Sequence, residues 1–164
     1  MTRAQAVTDG DIVLATVEIG VPLERAFHAL NSAEVERWWD APGLYHMEGW
    51  HSDLRLGGRW QVGVRIPDGT FLPADGEYLA VQAPHLVTLT RRYNWDHPTL
   101  GRQVTKVTYR FDPVEAGTRV TVRQEEFGSV EAAREHAVGW ERTLTLLHAH
   151  LTASAEQDGK LDAA

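Results

Sequence analysis

The residues of this chain best suited to chemistry are aromatic. Trp39, Trp50, Trp60, Tyr78, Tyr93, Trp95, Tyr109 and Trp140 fall in segments whose apolar residues recur with strand or helix periodicity. Rigid aromatic walls enclose apolar or ring-bearing molecules, while Trp N–H and Tyr O–H groups fix their orientation. Each is individually an ordinary core residue, but on a sheet curving round a helix the group would line a cavity. Polar residues interrupt the same faces. Alternation carried on from Val120 and Val122 puts Gln124 and Glu126 inward, and Arg91 falls between Leu89 and Tyr93. An unpaired charge there is costly, so it must be paired, hydrated or used. Arg91 and Glu126 have opposite signs and could meet across an intervening strand, to hold a ligand's polar end or to act as acid and base. A structural ion pair, or a strand end reaching solvent, is the plainer alternative. The expected ligand-binding set is Trp39, Trp50, Trp60, Tyr78, Arg91, Tyr93, Tyr109, Gln124, Glu126 and Trp140. No catalytic residue is singled out.

Other chemistries find less support. His46 with Glu48, and His51 with Asp53, could pair on a strand as metal ligands, yet no His-x-x-x-His helix pair exists. His148 and His150 point to different sides of a helix, and His136 could face a cavity mouth. Surface or hydrogen-bonded histidines are the expected outcome, with no metal and no cofactor. There is no cysteine and no Gly-x-Ser-x-Gly elbow, and Gly57-Gly58 lacks the Lys-Ser/Thr of a phosphate loop. The basic cluster Arg91, Arg92, Arg102, Lys106 and Arg110 reads as a solvated strand face.

Composition bounds the partners. The chain has 164 residues, 16 Lys+Arg against 23 Asp+Glu, and a net charge of −7. That balance disfavours generic binding to nucleic acid or anionic membranes. No apolar run reaches membrane-spanning length and no signal-peptide core is present, so a cytoplasmic protein without membrane insertion is expected. Six of the aromatic residues are Trp, an unusual share.

These side chains need elements to position them. Ile12 to Ile19 alternates as a strand. Pro22 opens a helix with Leu23, Ala26, Phe27 and Leu30 on one face. Ser32 can cap a second short helix through Trp38-Trp39. Residues 44–55 read as extended with a bulge at Gly49. Further strands follow over 59–66, 70–82, 87–95, 105–112 and 118–127. Residues 129–152 carry the strongest helical stripe: Ala133, Ala137, Trp140, Leu144, Leu147 and Leu151. The order β-α-α-β-β-β-β-β-β-α predicts an α+β fold, an antiparallel meander covered by a long C-terminal helix. The expected domain is 11–152, between a flexible N-terminus (1–10) and a flexible tail (153–164). Exposed edge strands would allow a homodimer without requiring one.

Six stretches resemble the Hsp90-ATPase-activator-homologue-like branch of the START-like (SRPBCC) superfamily. They are Val21-Pro-Leu-Glu-Arg-Ala-Phe27, Glu36-Arg-Trp-Trp39, Asp53-Leu-Arg-Leu-Gly-Gly-Arg-Trp60, Gly76-Glu-Tyr-Leu79, Gly117-Thr-Arg-Val-Thr-Val122 and Gly139-Trp-Glu-Arg-Thr-Leu144. The resemblance implies a helix-grip fold, in which a curved antiparallel sheet wraps a long C-terminal helix over an internal cavity. The superfamily includes lipid and hormone carriers, polyketide cyclases and aromatases, so fold alone does not select an activity. Near Gln124, where this family often carries a small or His residue, the chain has Gln-Glu-Glu. The leading expectation is binding of a small hydrophobic or aromatic molecule. A cyclase-, aromatase- or hydrolase-type enzyme using a cavity carboxylate or His is one alternative. A chaperone-linked interaction module, with a closed cavity and an exposed apolar patch, is the other.

Overall fold

The computed structural model describes residues 3–163, with side chains as far as Glu156. One nine-stranded antiparallel sheet forms the body, in the order β1-β2-β9-β8-β7-β6-β5-β4-β3. Its strands are β1 (Gln5–Asp9), β2 (Ile12–Ile19), β3 (Asp40–Ala41), β4 (Tyr45–Ser52), β5 (Arg59–Arg65), β6 (Phe71–Gln82), β7 (Leu86–Tyr93), β8 (Thr105–Val114) and β9 (Gly117–Glu125). Helices α1 (Leu23–Leu30) and α2 (Val35–Trp38) link β2 to β3, and α3 (Val130–Ala163) closes the chain. From β3 to β9 the chain is a meander, and β2 then pairs with β9, Val17 opposite Val120. The curved sheet around a long C-terminal helix is the helix-grip architecture.

Local sequence explains most of these elements. Val13, Ala15, Val17 and Ile19 of β2 are buried on alternate positions, as are Val107, Tyr109 and Phe111 of β8. All six residues of the expected α3 stripe are buried, including Trp140 and Leu151. In β4 the register with β5 shifts between Glu48 and His51, and Gly49 takes φ +75, which opens the bulge. Ser32 Oγ accepts the Glu34 N–H (3.2 Å) just ahead of α2, and Ser129 Oγ accepts that of Ala132 (3.1 Å) at the start of α3.

The structure corrects the expected ends. Within the N-terminal 1–10 segment, Gln5–Asp9 forms β1, paired with β2 from Gln5 opposite Thr16 to Asp9 opposite Ile12. Four of its five side chains are exposed, so no apolar period marked it. Helix α3 does not stop at residue 152 but continues to Ala163. The expectations for residues 1, 2 and 164 lie outside the described residues.

Candidate functional site

Between the concave sheet and α3 lies a cavity of about 520 Å³. Its walls come from distant parts of the chain: Trp39 after α2, Tyr45 and Met47 on β4, Val64 on β5, Arg91 and Tyr93 on β7, and Gln124 on β9. Trp95 and His97 come from the β7–β8 loop, and α3 supplies Glu135, His136, Val138, Gly139, Trp140, Arg142 and Thr143. Glu135, Val138 and Arg142 are exposed, which marks this edge of α3 as the rim.

Aromatic packing builds the inner wall. Trp38 stacks on Trp39 (5.4 Å, 21°) and donates its indole N–H to the Ala29 carbonyl (2.9 Å). Trp39 leans against Trp140 (5.6 Å), whose ring meets Tyr109 edge-on (5.9 Å, 76°). Gln124 is buried among them and bonded at both ends of its amide. It accepts the Trp140 indole N–H (2.7 Å) and donates to Thr105 Oγ1 (2.9 Å), which in turn donates to the Arg91 carbonyl (3.3 Å). This chain ties α3, β9, β8 and β7 together and satisfies a buried amide.

The second wall is a hydrogen-bonded cluster. His136 Nδ1 lies 2.8 Å from the Ala132 carbonyl, which can only accept, so Nδ1 carries the proton. Nε2 is then the acceptor for the Tyr93 hydroxyl at 2.9 Å. Burial is the main force holding the His136 pKa down, to about 4; Arg91 and His97 add to it, while the Ala132 bond and Glu135 oppose it. His97 stacks on Tyr93 (4.5 Å, 10°), and its Nδ1 accepts the backbone N–H groups of Thr99 and Leu100 (both 3.2 Å). Its Nε2–H therefore faces Glu135 Oε1 at 3.3 Å. Burial, more than Arg91, lowers its pKa against the pull of Glu135.

The potential ligand atoms of His97, Glu135 and His136 lie within 4.8 Å of one another, close enough to suggest a metal. The donor set does not fit one. A metal on His97 Nε2 would drive the proton to Nδ1, into the two backbone N–H groups it now accepts. Of the carboxylates considered from sequence, Glu48 is bound by Arg65 and Asp53 by Arg55.

The expected ligand-binding residues divide into three groups. Trp39, Arg91, Tyr93, Gln124 and Trp140 line the main cavity. Trp50, Trp60 and Tyr109 line only an adjoining void of about 20 Å³, where Trp50 stacks on Trp60 (6.4 Å, 22°) and Trp60 donates to the Thr90 carbonyl (3.1 Å). Tyr78 and Glu126 line neither. Tyr78 is fully buried with its hydroxyl 2.7 Å from Ser52 Oγ, and burial raises its pKa, as it raises that of Tyr109 to about 12. Glu126 is a correction: φ there is +73, the strand ends at Glu125, and the carboxylate faces solvent. The left-handed residue breaks the alternation, so Phe127 takes the buried place and the expected pair with Arg91 does not form. Trp95, one of the aromatic group read from sequence though not of the expected binding set, lines the cavity from beyond the end of β7 at Tyr93. His97, Gly139 and Thr143 were not singled out for the site; His97 sits on a loop, where no periodicity fixes facing.

Fold and cavity define the chain as a helix-grip protein of the START-like class. Residues 20–152 match the family described as Activator of Hsp90 ATPase homolog 1-like protein, and the chain belongs to that family. Among solved structures it is similar to a protein from Rhodobacter sphaeroides, with 19% identity, TM-score 0.79, and 94% of this chain and 99% of that one covered. It is also similar to an AHSA1-like protein from Aeromonas hydrophila, with 22% identity, TM-score 0.72, and coverages of 88% and 94%. Protein Ms6760 from Mycobacterium smegmatis gives 22% identity, TM-score 0.72, and coverages of 93% and 98%. These likenesses establish the fold. No curated protein matches the chain.

Proposed function

We propose that this protein binds a small, ring-bearing apolar molecule in the cavity between sheet and α3. The observation that carries the reading is the cavity itself: about 520 Å³, with Trp39, Tyr93, Trp95 and Trp140 in its walls. That volume lies within the roughly 300–1,000 Å³ of small-molecule sites. Trp39, Tyr93 and Trp140 would grip the rings, while Arg91 and the Tyr93–His136 pair offer polar contacts. Gln124, already bonded at both ends, shapes the wall. The cavity opens at its rim, which speaks against the closed interior expected of a pure interaction module. The test is a thermal-shift screen of two- and three-ring compounds, since a molecule binding only the folded state raises Tm by mass action. A saturable rise with quenching of tryptophan fluorescence is the expected result; no response across such a panel would overturn the reading.

A catalytic reading has one observation of its own. His136 is a neutral base, its far nitrogen pinned by Ala132, beside the hydroxyl of Tyr93 inside the cavity. Turnover of a bound compound that stops in His136→Gln while binding persists would establish it. Binding without turnover leaves the carrier reading.

A further inference from the structure

We infer that the molecule held in this cavity is an aromatic carboxylate whose anionic end is taken by Arg91, an inference that rests on the ring-binding reading above. The Arg91 guanidinium carbon lies 5.5 Å from the Trp60 ring centre, 5.6 Å from that of Tyr93 and 5.9 Å from that of Trp39. Among the described residues no carboxylate comes within ion-pairing distance of it, and its side-chain N–H groups meet no acceptor. This is unlike Arg25, Arg65 and Arg119, which are each paired with a glutamate. Aromatic faces offset part of a cation's desolvation, but they accept no in-plane N–H.

The surroundings leave that charge unopposed. Among the described residues Glu135 is the one carboxylate in the cavity wall, and it sits at the rim, engaged by His97 Nε2 and by Thr99 Oγ1 at 3.1 Å. The two histidines are neutral by their hydrogen bonds. A protein of net charge −7 thus presents a bare cation to its own cavity. Arg91 also borders the adjoining void, so it stands on the partition between the two spaces, away from the exposed rim. The guanidinium fork matches a carboxylate through two parallel N–H···O bonds. A phosphate would call for further donors or cations on this inner wall, and Arg91 is alone there. The rings of Trp39, Tyr93 and Trp140 then favour an aromatic body behind the carboxylate.

The probes are biphenyl-4-carboxylate and its uncharged isostere biphenyl-4-carboxamide, titrated calorimetrically into the wild-type protein, Arg91→Met and Arg91→Gln. The wild type should prefer the carboxylate by about tenfold or more, as a charge-assisted bidentate pair requires. Both variants should lose that preference while keeping amide affinity within about threefold. The wild-type comparison stands even if a variant fails to fold. Equal affinity for both probes, or a preference that survives in a folded variant, overturns the carboxylate assignment alone. Failure of both probes to bind the wild type overturns the ring-binding reading together with it.

Discussion

At His136 the nitrogen nearest Tyr93 is an acceptor because the other is committed to a backbone carbonyl. Nitrogen-detected NMR should show the neutral Nδ1–H tautomer, essentially unchanged as pH falls from 7 to about 5.5. The folded pKa lies below the ordinary 6.5, so the unfolded chain binds the proton first. Stability should therefore decline as pH drops from about 6.5 to about 4. A His136 that titrates near 6.5 would contradict the burial described. Glu34 is the second informative residue. Burial alone would raise its pKa, but hydrogen bonds from Arg25, His150 and His28 bring it down to about 2. It joins α1, α2 and α3, with Arg25 bidentate at 2.8 and 2.7 Å and His150 at 2.6 Å. Its stabilisation is present above pH 4.5 and is lost as pH falls towards 2. Glu34→Gln should cost up to about 3 kcal/mol at pH 7 in urea unfolding and flatten that acid limb. Nothing in the sequence announced this cluster, because Glu34 and His150 are more than a hundred positions apart and neither lies on an apolar stripe. Arg91, by contrast, was legible: a lone charge in an alternating apolar run is visible without coordinates.

Two glycines separate the elements that tolerate change from those that do not. On β6, a Cβ at Gly76 would lie 1.8 Å from the Thr90 carbonyl oxygen and 2.7 Å from Trp60 Nε1. Gly76→Ala should therefore lose about 3 kcal/mol in urea unfolding. On α3, a Cβ at Gly139 meets nothing within 4 Å, although the residue borders the cavity. Gly139→Leu should leave the fold intact and raise stability by about 1 kcal/mol through helix propensity alone. Elements with an apolar period were readable, as β2, β8 and the buried stripe of α3 show. β1 was not, since backbone pairing rather than burial holds it, and β3 is too short at two residues to carry a pattern. The failure at Glu126 has the same root: alternation describes a strand only until a residue leaves β geometry, and φ +73 ends it.

At the scale of the molecule, one sheet and one helix hold a cavity that neither could form alone. Six tryptophans divide between two tasks. Trp38 and Trp60 are buried in the packing and Trp50 lies half-buried against it, while Trp39, Trp95 and Trp140 face the main space. The family motifs made the fold legible from sequence, and the inward faces of β7 and β9 pointed to Arg91, Tyr93 and Gln124. Less legible were the β7–β8 loop and the polar side of α3, where His97, Glu135 and Thr99 meet only after folding. The central claim is that this cavity receives the ligand. Its most direct test is calorimetric titration of biphenyl-4-carboxylate into the wild type and Gly139→Leu side by side, both verified as folded. Saturable binding by the wild type and its loss in a Gly139→Leu protein of equal or higher Tm is the predicted result. Undiminished affinity in Gly139→Leu, whose added side chain occupies the space, would contradict the account.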